Sequence, residues 1–87
     1  MIMKTLYIGN LPASTTDMDL RMRFERFGTV ESATVVRDAE TGRSKRCGFV
    51  KMGSSNEARA AIDRLNMTQY EDVVISVSEA RAEQQVR

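Results

Sequence analysis

Tyr7 and Phe49 are the two residues whose types and positions in this 87-residue chain most suggest chemistry. Tyr7 lies in the run Thr5-Leu6-Tyr7-Ile8, and Phe49 lies in Cys47-Gly48-Phe49-Val50-Lys51-Met52, both patterned as strands. Side chains alternate between the two faces of a strand. If Leu6, Ile8, Gly48, Val50 and Met52 point into a core, then Tyr7, Lys45, Cys47, Phe49 and Lys51 point outward. An exposed phenylalanine on a strand is costly unless something stacks on it, and lysines beside it attract phosphate. Aromatic platforms framed by cations are what binding of a single-stranded nucleic acid requires. The polar run Asp38 to Ser44 brings Arg43 and Arg46 to the mouth of this platform, with Arg37 a further cation nearby. The competing reading makes the two rings cross-strand filler and the basic run a solvated turn.

Other chemistries have little to work with. The chain has no histidine and a single cysteine, Cys47, so an internal disulfide and a tetrahedral metal cluster are not expected. No phosphate-binding loop and no catalytic constellation stand out, so the expectation is a non-enzymatic protein without cofactor or metal. The lone thiol suits a reducing interior and hence the cytoplasm. No apolar run reaches the length of a membrane span, so no membrane partner is expected. Net charge is only +1, which leaves local clustering to supply any electrostatic attraction. Arg21, Arg23 and Arg26 interleave with Asp17, Asp19 and Glu25, the pattern of a solvated helix face rather than a second binding site.

Six elements must position these residues. Thr5 to Ile8 forms a first strand, broken by Gly9-Asn10-Leu11-Pro12. Thr16 is an N-cap for a helix whose Leu20, Phe24 and Phe27 share one stripe, with Gly28 as its stop. Val30 to Val36 and Cys47 to Met52 read as a hairpin around the turn-rich Asp38–Ser44 segment. A second helix carries Ala58, Ala61, Ile62 and Leu65 at helical spacing and stops near Asn66. Val73 to Val77 is a final strand, and Glu79 to Arg87 reads as a polar tail that could form a short helix over the sheet. The strand–helix–strand–strand–helix–strand order predicts an α+β, ferredoxin-like βαββαβ sandwich. Its four-stranded antiparallel sheet carries both helices on one face and leaves the other open. Leu6, Ile8, Val50, Met52, Ile75 and Val77 are its expected inner face. Fold alone does not choose a function.

The segments Leu6-Tyr7-Ile8-Gly9-Asn10-Leu11 and Lys45-Arg46-Cys47-Gly48-Phe49-Val50-Lys51-Met52 resemble the hexameric and octameric motifs of the RNA recognition motif family. Asn10-Leu11-Pro12, Asp19-Leu20, Phe27-Gly28, Thr41-Gly42, Ala61-Ile62 and Leu65-Asn66 also fall where that family has similar residues. The resemblance implies a domain over residues 3–81 with a tail at 82–87. It also implies single-stranded RNA as partner, with single-stranded DNA held more weakly by a monomer of a short, bacterial-type protein. It assigns base stacking to Tyr7 and Phe49 and backbone contacts to Lys45, Lys51, Arg43, Arg46 and Arg81. Cys47 takes a position usually filled by a third aromatic ring, and Arg46 and Met67 replace usual glycines. Arg46 is expected at the frayed entrance of its strand with its guanidinium in solvent. The alternatives are a protein-interaction module on the same scaffold and, more remotely, a small enzyme or effector-binding domain.

Overall fold

The computed structural model describes residues 4–80, so Arg81 and the tail, including the helix anticipated there, lie outside the described residues. Seven elements follow in order: β1 (Thr5–Gly9), α1 (Asp17–Glu25), β2 (Val30–Arg37), β3 (Ser44–Met52), α2 (Ser55–Leu65), β4 (Thr68–Tyr70) and β5 (Val73–Glu79). The architecture is the expected ferredoxin-like α+β sandwich, but the sheet has five strands, in the order β2-β3-β1-β5-β4. All described pairings are antiparallel. The added strand, β4, is three residues long and closes a hairpin with β5 in which Tyr70 pairs with Val73. Three residues are too few to display an alternation, so this strand reads as loop in the sequence.

Local chemistry explains the helix starts. The Thr16 side chain accepts the Asp19 amide, and the Asp19 carboxylate accepts the Thr16 amide, both at 3.1 Å. This capping box satisfies two donors that the first turn of α1 would otherwise leave orphaned. Ser54 caps α2 with a single bond, its hydroxyl accepting the Glu57 amide at 3.2 Å, while the Glu57 carboxylate accepts the Thr29 amide. The end of α1 departs from expectation, because the helix stops at Glu25 rather than running to Gly28. Phe27 and Gly28 donate to Phe24 and Glu25, a tightened 3₁₀-type turn, and Phe27 swings partly into the core.

The core lies between the helices and one face of the sheet. Leu6, Ile8, Val50, Met52, Ile75 and Val77 are all buried there, as the alternation predicts, with Leu20 and Phe24 from α1 and Ala58, Ala61 and Leu65 from α2. Gly48 allows the closest approach in this layer. A Cβ there would stand 2.7 Å from the Thr34 carbonyl oxygen and 2.9 Å from Leu20 Cδ2. All four expected strands run past their expected ends, β1 and β2 by one residue and β3 and β5 by more. Arg37 pairs with Ser44, which starts β3 three residues before Cys47. β5 continues to Glu79, past the point where the polar tail was expected, and the buried Ala80 donates to the Thr5 carbonyl.

Candidate nucleic-acid interface

The face opposite the helices carries the aromatic pair. Tyr7 and Phe49 are direct cross-strand partners, both partly exposed, with ring centroids 5.5 Å apart and planes inclined at 61°. Such an edge-to-face pair is itself a favourable aromatic geometry. It also holds two ring faces at an angle, so bases stacking on them would not lie in parallel planes. The register extends this row outward on both sides, because Thr34 pairs with Phe49 and Ser78 pairs with Tyr7. Two hydroxyl-bearing residues therefore flank the two rings. Sequence reasoning missed Thr34 and Ser78, although the alternation in β2 and β5 carries the signal.

A second row runs from Cys47 through Gly9 to Ser76. Gly9 leaves room for the tyrosine: a Cβ at this position would sit 3.4 Å from the Tyr7 ring and 3.0 Å from Ser76 Oγ. Burial pushes the Tyr7 phenol up from its ordinary value, and the charge and hydrogen bond of the neighbouring Cys47 thiol act in the same direction. The phenol is therefore a neutral hydroxyl near pH 7. Cys47 is a free, partly buried thiol that engages the tyrosine edge. Asn10 closes this end of the face, its side-chain amide donating to the Val74 carbonyl at 2.7 Å.

The cations arrange themselves less simply than alternation implies. Val35 pairs with Gly48 while Arg37 pairs with Ser44, so Lys45, Arg46 and Cys47 together oppose Val36 in a bulge. Strict alternation cannot be carried through it, and Lys45, though exposed, sits close enough to Asp38 to act on its charge. Arg46 lies inside β3 rather than at a frayed entrance, in the left-handed region at φ 63°. Its amide donates to Ser44 Oγ and its carbonyl accepts the Leu11 amide, both at 2.9 Å, which pins the bulge. The side chain is exposed, as expected. Lys51 is exposed beside Phe49 but lies 3.9 Å from Glu31, a loose ion pair across the sheet. Arg81, the remaining candidate, lies outside the described residues.

Arg43 belongs to a loop with a defined shape. Asp38 accepts the amides of Glu40 and Thr41 on one carboxylate oxygen, and its own amide donates to the Arg43 carbonyl. These amides, with Lys45 nearby, hold the Asp38 carboxyl below its ordinary value. Arg37 spans the same corner, its guanidinium directed at the Gly42 and Thr15 carbonyls at 3.4 Å each. It braces the loop instead of standing free for a ligand. The helix arginines are also more engaged than a solvated face implies. Arg21 pairs with Glu25 and donates to the Val30 carbonyl, and Arg23 lies 3.9 Å over the Tyr70 ring.

Comparison with known proteins agrees with the motifs and the fold. The model of the RNA recognition motif family matches residues 6–76. The chain is 44% identical over 77 residues to the chloroplastic 29 kDa ribonucleoprotein of Arabidopsis thaliana, covering 88% of this chain and 22% of that protein. It is 36% identical over 76 residues to glycine-rich RNA-binding protein 8 of the same plant, covering 87% of this chain and 45% of that one. Among solved structures, a chain of the Sxl-lethal protein/RNA complex superposes with a TM-score of 0.88 at 30% identity, covering 91% of this chain and 47% of the other. The chain thus spans less than half the length of each of these relatives. A motif pair at its proper separation, an open sheet bearing both aromatic residues, and a family match across most of the sequence converge: the chain belongs to the RNA recognition motif family.

Proposed function

We propose that this domain binds single-stranded RNA on its open sheet face, stacking bases on Tyr7 and Phe49, and acts by binding alone. The observation that carries the reading is the partly exposed aromatic pair at 5.5 Å, on a face that neither helix of the described residues covers. Lys45, Arg43, Arg46 and Lys51 supply phosphate contacts around it, and Thr34 and Ser78 offer hydroxyls to base edges. Cys47 keeps one ring fewer on the platform. The domain therefore makes two stacking contacts and relies on charge for the rest. Single-stranded DNA shares the bases and phosphates but lacks the 2′-hydroxyl, so it binds more weakly. The half-exposed thiol of Cys47 suits a reducing compartment such as the cytoplasm.

The experiment is NMR shift mapping with a pool of short single-stranded RNAs, followed by titration of Tyr7→Ala with Phe49→Ala. Shifts gathered on Tyr7, Cys47, Phe49 and Lys51, and binding lost by the double variant while its spectrum stays folded, support the reading. Absence of shifts at millimolar RNA, or shifts confined to the helices, refutes it.

A further inference from the structure

Helix α1 presents a second surface with its own chemistry. Met18 and Met22 are 61% and 60% exposed, one turn apart on a single stripe, while Leu20 and Phe24 bury the opposite stripe. Beside Met22 an open groove of about 570 Å³ is lined by Asp19, Met22, Arg23, Arg26, Tyr70 and Glu71. Its far wall is fixed by the Arg23 guanidinium lying on the Tyr70 ring. There Glu71 holds a left-handed turn at φ 57° while its carbonyl accepts the Gln69 side-chain amide. Along the helix Asp17 and Asp19 hold the first turn and Arg21, Arg23 and Arg26 follow, with Glu25 among them paired to Arg21 at 3.2 Å, so the second half keeps a net positive charge.

We propose that this surface is a self-association site, on which α1 packs antiparallel against α1 of a second copy. A two-fold interface must be complementary to itself. With the axis near Met22, the acidic first turn of each helix meets the basic end of the other, placing Asp19 opposite Arg26 twice. Met18 of each copy then falls beside the partner groove next to Met22. A parallel arrangement sets acid on acid and base on base. A partner of one charge sign leaves either Asp19 and Glu71 or Arg23 and Arg26 against like charge. The groove's two acids and two bases are matched in full by a surface of the same kind. Unbranched, polarizable methionines suit a contact that forms and dissolves. Helices packed through four-residue ridges cross at about −50°, so contact is limited to the stretch from Met18 to Arg26. Such an interface falls below the standard size of roughly 1,600 Å², and the dimer is weak, leaving a monomer at low concentration. Because α1 lies on the covered side of the sheet, pairing leaves Tyr7 and Phe49 open, and the association does not depend on RNA.

Sedimentation velocity and amide-shift dilution, run from about 1 mM downward in low salt, test this. The expected result is a dimer that dissociates within this concentration range, as fits a contact below the standard interface size. Concentration-dependent shifts should gather on Met18, Met22 and Arg26. Met22→Glu, at an exposed position, should weaken the dimer tenfold or more while short-RNA binding stays unchanged. Arg26→Asp should weaken it similarly, and adding Asp19→Arg should restore it, with circular dichroism reading the helix that loses its cap. A protein monomeric at 1 mM, a dimer indifferent to Met22→Glu, or a double reversal that restores nothing overturns the proposal.

Discussion

Replacing Arg46 with glycine should move stability and RNA affinity in opposite directions. Arg46 sits at φ 63° inside β3, where a side chain crowds its own backbone. A non-glycine residue in this region costs about 1–2 kcal/mol. Glycine removes that cost but loses more chain entropy on folding, about 0.5–1 kcal/mol. The exposed side chain contributes little packing. The net expectation for Arg46→Gly is a gain of roughly 0.5–1 kcal/mol, which for a domain this size raises Tm by roughly 2–8 °C. RNA binding should fall by about fivefold if one surface phosphate contact is worth ~1 kcal/mol. The log–log salt slope should shrink by about 0.7, the signature of one released counterion on a single strand. Arg46→Ala separates the two effects, since it keeps the backbone strain and loses the charge. Its stability should match the parent and its affinity should match the glycine variant. Urea unfolding and fluorescence anisotropy across a salt series are the assays. A glycine variant that is less stable refutes the strain argument, and one that binds RNA with an unchanged salt slope refutes the placement of Arg46 at the interface.

Three further outcomes follow from the same geometry. Tyr7→Ala with Phe49→Ala should weaken binding by at least 30-fold in anisotropy titrations, since each stacked base is worth ~1–3 kcal/mol. The fold should persist in the amide spectrum, because neither ring belongs to the buried cluster. Gly48→Ala should destabilise by about 1–3 kcal/mol in urea unfolding, because the new Cβ would stand 2.7 Å from the Thr34 carbonyl and force the strands or Leu20 to shift. Asp38 gives a pH dependence: its folded carboxyl lies below its ordinary value, so its contribution is present above the unfolded value. That contribution is lost as pH falls through the folded one. Amide shifts of Glu40 and Thr41 should therefore move in the acid range below that of a usual aspartate. Asp38→Asn, which keeps an oxygen acceptor, should abolish the titration while preserving the loop.

The parts of this molecule legible in the sequence are those governed by side-chain periodicity and local capping. Leu6 and Ile8 against Tyr7, or Val50 and Met52 against Phe49, divide between the faces because the strand period is two and the helices cover one side. Thr16 announces α1 because its hydroxyl can reach an amide three residues ahead. What escapes is set by the backbone. The bulge at Lys45 to Cys47 interrupts the period that would have placed Lys45. Strand β4 is held by its pairing with β5 and by burial of Tyr70, contacts that no three-residue window reveals. Arg37 looks like another surface cation until the fold brings Thr15 and Gly42 to its guanidinium.

The charge distribution fixes how such a platform must work. Two stacked bases contribute roughly 2–6 kcal/mol, and a micromolar complex needs about 8. The difference falls to phosphate contacts and base-edge hydrogen bonds. A net charge of +1 gives no long-range attraction over the whole surface, and one of the nearby lysines, Lys51, already faces Glu31 at 3.9 Å. On the proposed reading, short-range contacts from Arg43, Lys45 and Arg46 carry much of the electrostatic share, and all three lie in or beside one bulged hairpin. Affinity should therefore respond more steeply to the shape of that hairpin than to total charge. A neutralising change at Arg59 or Arg64 on α2, across the molecule from the sheet face, should leave the complex nearly unaltered. Loosening the Asp38 turn without removing any cation should weaken it.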